Sequence, residues 1–223
     1  MITGLRPETF TQLQLNAGVF LKNFKWATYT DADALEEAIL SALEEGTGVI
    51  GATRGGGTFQ CTPTIRQIEA DGMRAPIKAS TVNDMWTVKL TGTMLEITPE
   101  NFKDALICAD LTTDSGGKKH TIRIRNDIED SDYISSLCWV GDTSQGFVLI
   151  ELENALNLTG ATFTFTDKGE GTLPFEFQGH QADLSKSKYA PCSIVFFDPP
   201  EAAKSQPETQ SQPETQSQPN DQA

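Results

Sequence analysis

Positive charge is scarce in this chain. Its 223 residues carry 17 Lys and Arg against 31 Asp and Glu, a formal net charge of −14. That balance argues against a surface that grips a nucleic-acid backbone, which works by clustered cations releasing counterions. It stays compatible with DNA passing nearby, because an acidic wall repels phosphate. Long apolar runs are missing as well. The longest aliphatic or aromatic stretches are four residues, Phe147 to Ile150 and Ile194 to Phe197, whereas a bilayer-spanning helix needs about 20. The opening Met1-Ile2-Thr3-Gly4-Leu5-Arg6-Pro7-Glu8 has no basic start followed by an apolar core. No secretory signal is therefore expected, and the chain reads as a soluble protein made in a cytoplasm, without a membrane partner.

Ligating and catalytic residues are equally sparse. The four cysteines, Cys61, Cys108, Cys138 and Cys192, lie tens of residues apart, and only His120 and His180 could join them. Neither a zinc site nor a disulfide framework has support in that spacing, and buried or half-buried free thiols are expected. No G-x-S-x-G elbow is present. Gly51-Ala52-Thr53-Arg54-Gly55-Gly56-Gly57 lacks the Gly-Lys-Ser/Thr ending of a phosphate loop and fits a flexible turn entering a strand. Ser115-Gly116-Gly117-Lys118-Lys119 reads as a loop tip before a strand. Asp127, Glu129, Asp130 and Asp132 miss the calcium-loop spacing and read as a solvated loop. His180 reads as a strand end rather than a general base. Asn157-Leu158-Thr159 matches a glycosylation acceptor but has no meaning without secretion. The sequence points to no enzyme, cofactor or metal.

What is present is alternation. Leu13, Leu15, Ala17, Val19 and Leu21 fall on one face of a strand, as do Trp86, Val88 and Leu90. His120 to Arg125, Leu156 to Leu158, Thr162 to Thr166, and Leu173, Phe175 and Phe177 continue the pattern. Trp86 and Trp139 sit inside such runs, so core packing is expected for both. Two segments change period. Asp31 to Glu45 carries Leu35, Ile39, Ala42 and Leu43 at helical spacing, with Thr30 or Asp31 to cap it and Gly46 to end it. Thr98-Pro99-Glu100-Asn101 is a helix start, with Phe102, Ala105, Leu106 and Ala109 as its packing face. The fold class is β-rich α+β: a β-sandwich or barrel with one or two flanking helices.

The domain spans 1–198 and ends at Asp198-Pro199-Pro200. Residues 199–223 hold the hexapeptide Ser-Gln-Pro-Glu-Thr-Gln twice, from Ser205 and from Ser211, with no aliphatic side chain larger than Ala. Such a segment cannot offset its ordering entropy by burial, so a disordered tail is expected. Its four acids and one base account for −3 and leave −11 on the domain.

The order of the segments is also informative. Leu13 to Phe20, a short helix, Gly48 to Gly57, Thr62 to Gly72, and Trp86 to Asn101 follow one another. Together they resemble major tail, or tail tube, proteins of long-tailed bacteriophages and prophages over residues of about 12–110. The resemblance implies a β-sandwich flanked by a helix, assembling six to a ring, with rings stacked into a tube that conducts DNA into a host. It implies partners: other copies of the chain, a tail tip or initiator, tape-measure and terminator proteins, and DNA in transit without specific binding. It implies a virion tail as destination, after assembly in the bacterial host cytoplasm. A reach between rings is expected from Arg54, Gly55, Gly56 and Gly57 with the strands that follow to about Val82. Glu151, Glu153, Asp167 and Glu170 are the expected lumen charges, and six domains at −11 put −66 on each ring. An outward projection is expected of the 199–223 tail. Alternatives are a β-sandwich module binding carbohydrate or a surface partner (Trp26, Trp86, Trp139 and Tyr133 being available), a capsid-decoration protein, the inner tube of a contractile particle, and a wall-degrading hydrolase.

Overall fold

Alternating sequence becomes sheet where a partner strand exists to take its hydrogen bonds. In the computed structural model, which describes residues 13, 16–143, 146–165, 167–186 and 188–198, nine strands and two helices form. The strands are β1 (Val19–Lys22), β2 (Thr53–Gln67), β3 (Thr81–Met94), β4 (Ala109–Thr113), β5 (His120–Ile124), β6 (Ile134–Thr143), β7 (Gly146–Asn157), β8 (Leu173–Gln178) and β9 (Cys192–Phe197). Helix α1 (Ala32–Glu45) begins at Asp31, whose carboxylate accepts from the Ala34 amide at 2.9 Å, and ends at Gly46 in the left-handed conformation. Helix α2 (Pro99–Ala105) begins at Thr98, whose hydroxyl accepts from the Asn101 amide at 3.1 Å. Both starts agree with the local signals.

Seven strands make two layers joined through β7, and β4 and β5 pair as a separate two-stranded sheet. One layer runs β1–β6–β7–β9, and the other β2–β3–β8, all antiparallel. The last residues of β7, Leu156 and Asn157, turn to pair with Gln178 and Phe177 of β8. A main core fills the space between layers: Phe20, Leu137 and Leu152 from the first, Val88, Leu90, Phe175 and Phe177 from the second. A second core lies on the other face of the first layer, where Leu35 and Ile39 of α1 cover Leu21, Cys138, Val140, Leu149 and Phe197. The result is a sandwich-like α+β fold. The sheets do not close into a barrel.

Two strand expectations and one helix face are corrected. The strand expected from Leu13 starts only at Val19; Leu13 and Ala17 lie outside it, and Leu15 lies outside the described residues. Thr162 to Phe165 form no strand: among the described residues their one pairing is the Thr164–Thr172 bridge, and Phe165 is 78% exposed. Alternation there had no neighbouring edge to join; Thr166 is outside the described residues. On α2, the expected face is cut short because the helix stops at Ala105 and Ala109 belongs to β4. The 199–223 tail also lies outside the described residues.

One buried polar side chain ties the corner where the layers meet. Asn157 is fully buried; its amide nitrogen donates to the Ala105 carbonyl at 2.6 Å, and its oxygen accepts from the Thr159 hydroxyl at 2.9 Å. This environment leaves the acceptor Asn-x-Thr with no accessible nitrogen. Asn157→Ala is expected to lower stability by about 2–4 kcal/mol, since it strands at least two buried groups. Urea unfolding followed by tryptophan fluorescence measures it, and a loss below ~1 kcal/mol would show that those groups find other partners.

Candidate functional site

The feature that stands apart from the body is the β2–β3 hairpin. Strand β8 covers β3 only from Lys89 to Met94. Beyond that point, and past the Val88 carbonyl that the Gly179 amide still reaches, Thr62–Gln67 and Thr81–Thr87 pair among the described residues solely with each other, a ribbon roughly 20 Å long at about 3.4 Å per residue. The pairing continues at its end, where the Ile68 amide donates to the Ser80 carbonyl at 2.8 Å. Both faces of the ribbon are wet. Ile65, Ile68, Ile77, Met85 and Trp86 are all exposed on it or at its tip. The polar pair Arg66–Asp84 crosses it with two hydrogen bonds of 3.0 and 3.1 Å, which raise the guanidinium's affinity for its proton.

Trp86 corrects an expectation. It shares the inward face with Val88 and Leu90, but it is 42% exposed because β8 has already ended. Trp139 does pack against the main core, and its indole N–H donates to the Ala17 carbonyl at 2.9 Å.

The glycine run is also corrected. Arg54, Gly55, Gly56 and Gly57 are not a turn before a strand; they are inside β2. Gly55 and Gly56 take positive φ of 76° and 72°, and the register with β3 shifts between Thr53 and Gly57. The run is an irregularity at the hairpin's root, which re-aims the strand. Gly57 answers to packing instead: a Cβ there would lie 2.6 Å from the Thr91 carbonyl oxygen and 2.9 Å from the Phe20 ring.

The four acids expected to work together fall in two places. Glu151 and Glu153 lie on β7, on the face that carries Leu149 and, farther along, α1. Glu151 accepts from the Ser136 hydroxyl at 2.6 Å. Asp167 and Glu170 sit in the turn closed by the Thr164–Thr172 bridge. There Glu170 meets Arg54, 2.7 Å away, so one candidate from each set forms an ion pair. The Arg54 hydrogen bond holds the Glu170 carboxyl below the usual carboxylate range. Both side chains are more than half exposed, so the pair is screened by salt and by water. Arg54→Ala is expected to return the Glu170 titration, followed by carbon-detected NMR, to the ordinary range without changing the fold. The sign is that of a depressed acid: the contribution exists above the unfolded-state value and disappears as pH falls through the folded one. An unmoved Glu170 titration would show that the pair is not formed in solution.

The Asp127–Asp132 cluster is more than a solvated loop. Arg125 reaches Asp110 at 3.0 Å, Glu129 at 2.7 Å and Asp132, and Asp132 is nearly buried. Burial lowers the Arg125 guanidinium's proton affinity, but the three carboxylates outweigh it. The cluster is therefore partly neutralised by Arg125 and keeps a net negative charge. His180, as expected, follows the end of β8; its amide donates to the Glu153 carbonyl at 2.8 Å, and its ring meets Tyr133 edge-on. The 115–119 stretch is the tip of the β4–β5 hairpin, where Asp114 accepts from the Lys118 and Lys119 amides. Those amides, Lys119 first, hold the Asp114 carboxyl low.

The cysteines divide. Cys108 and Cys138 are buried and Cys192 is half-buried, as expected, but Cys61 is exposed. Among the described residues no group of three or more His, Cys, Asp or Glu is placed to hold a metal ion. No helix among them is long and apolar enough to cross a membrane. No protein-family model matches the chain, and no curated protein is significantly similar to it.

Proposed function

We propose that this chain is a structural subunit that assembles with copies of itself into rings, and stacks those rings into a hollow tube like a long-tailed phage tail. The hairpin carries the reading. A two-stranded ribbon with water on both faces is marginally stable alone, and this one spends five large apolar side chains on solvent. Docked against a neighbouring copy, it would be ordered and those side chains would be dry. The sheet edges agree with that use. The outer edge of β1 is closed by backbone bonds to Gly48 and Ile50, whereas among the described residues β2 pairs only with β3 and β9 only with β7. Edges of one copy joined to edges of the next remove the aggregation hazard of both, and repetition closes a ring.

Under this reading the work is done by interfaces, and no cofactor takes part. The partners are other copies first, then a tip or initiator, tape-measure and terminator proteins, with DNA passing unbound. The place of action is a virion tail assembled in a bacterial cytoplasm. Glu151, Glu153 and Asp167 are stronger lumen charges than Glu170, which Arg54 partly neutralises.

Negative-stain electron microscopy of the full chain, concentrated for days across a range of salt, tests this. Rings or hollow tubes of uniform width are expected. Featureless small particles under every condition, including after addition of a preformed tail tip, would reject it. The exposed Trp86 would then favour a binding module.

A further inference from the structure

We propose that Cys61 and Cys192 form a redox-closed staple between the two layers, open as two thiols in a reducing medium and closed as an intrachain disulfide by a small-molecule disulfide such as oxidised glutathione. The inference does not rest on the tube reading.

Strand register carries it. Cys61 stands directly opposite Val88 on β3, and directly opposed residues of an antiparallel pair point to the same face. Val88 is fully buried in the core between the layers. Cys192 stands opposite Leu152 on β7, also fully buried in that core, and packs against it. The two thiols therefore point inward from different layers. The layers approach each other here. The Gly179 amide, just past β8, donates to the Val88 carbonyl at 3.0 Å, and a Cβ on Gly179 would lie 2.8 Å from the carbonyl oxygen of Pro191, the residue before Cys192. Cys61 is also near enough to Cys192 to raise that thiol's hold on its proton.

The surroundings assign the two sulfurs different parts. Burial, and then the neighbouring Cys61, push the Cys192 thiol up to about 11, so at neutral pH it keeps its proton. Cys61 is exposed, and its sulfur meets the oxidant. It attacks one sulfur of oxidised glutathione, breaking that bond and releasing one glutathione thiolate. Cys192 then gives its proton to solvent and attacks the Cys61 sulfur of the mixed disulfide, expelling the second glutathione thiolate. Two cysteine thiols are oxidised, one glutathione disulfide is reduced to two glutathione thiols, and the released protons end on them. The other cysteines do not compete. Cys108 donates its S–H to the Arg125 carbonyl at 3.1 Å, and burial pushes Cys138 up to about 12.

The consequence is mechanical. Cys61 immediately precedes the unsupported ribbon, and Cys192 opens the last strand, so closure pins the root of the arm to the body. The test uses the full chain, purified reduced, freed of reductant and incubated with millimolar oxidised glutathione. The expected result is a fall from four thiols to two after denaturation, a linked peptide pair holding Cys61 and Cys192, and a thermal midpoint raised by roughly 5 °C or more, all reversed by dithiothreitol. In Cys192→Ser, Cys61 should instead retain glutathione as a stable mixed disulfide. Wild-type protein that also stops at the mixed disulfide, that links other cysteines or separate chains, or that stays fully reduced would overturn the proposal.

Discussion

Lysine at both Ile65 and Met85 is expected to abolish assembly and leave the subunit folded. The two side chains are 56% and 59% exposed on the unsupported ribbon, so each replacement should change stability by no more than about 0.5 kcal/mol. Lysine is also what natural edge strands use to stay unpaired. In an interface the same change is severe, because the apolar contact is lost and a charge must be desolvated. A loss of about 2 kcal/mol at each of two well-packed positions would raise the concentration needed for assembly roughly 1,000-fold. Pelleting of polymer across a concentration series measures this, with circular dichroism melting as the control. A melt within about 2 °C of wild type with no polymer is the expected pair of results. Polymer at the wild-type concentration would place the contacts elsewhere and remove the main support for the tube reading.

How far the sequence could be read depends on how local each cause is. Both helix starts were legible, because a cap acts within four residues: Asp31 on the Ala34 amide, Thr98 on that of Asn101. Strand β8 was legible because Leu173, Phe175 and Phe177 all face one core. The hairpin's true extent was not. Alternation marks a strand by its buried face, and a ribbon wet on both sides has none. The same gap misplaced Trp86, whose position follows the pattern of Val88 and Leu90 but whose covering strand ends at the residue pairing with Lys89. Thr162 to Thr166 shows the converse. Phe163 and Phe165 alternate as a strand would, yet they spend that pattern on ring contacts, Phe163 edge-on to Phe102 and next to Phe165.

The candidate surfaces were less legible than the fold. Arg54 and Glu170 were each picked out for separate reasons, and nothing local could say that they meet. Ile65, Ile68, Ile77 and Met85 look unremarkable in sequence, since an isolated apolar residue becomes informative only once its exposure is known. Cys61 and Cys192 share no motif; only the registers β2–β3 and β7–β9 bring them to one place.

Phe20→Ala is expected to be the most damaging single core change, for a reason that also explains two glycines. Phe20 is buried, and its ring meets Phe175 edge-on at 5.2 Å. Beneath the two rings lie Gly57 and Gly92, directly opposed on β2 and β3. A Cβ on Gly57 would come 2.9 Å from the Phe20 ring, and one on Gly92 would come 2.5 Å from that of Phe175. The glycines are the floor that two aromatic rings need. Removing the Phe20 ring forfeits its transfer energy, leaves a cavity and breaks the pair, for about 3–5 kcal/mol, out of the 5–15 kcal/mol typical of whole domains. Chemical denaturation should show the midpoint fall with the slope unchanged; a loss below ~2 kcal/mol would mean that the floor collapses to fill the hole. Double substitutions separate the two glycines. Gly92→Ala should be relieved by Phe175→Leu, because the three atoms nearest the added methyl all belong to the Phe175 ring. Gly57→Ala should stay destabilising even beside Phe20→Ala, because its nearest obstacle is the Thr91 backbone oxygen, 2.6 Å away, and no side-chain change removes a carbonyl from a paired strand.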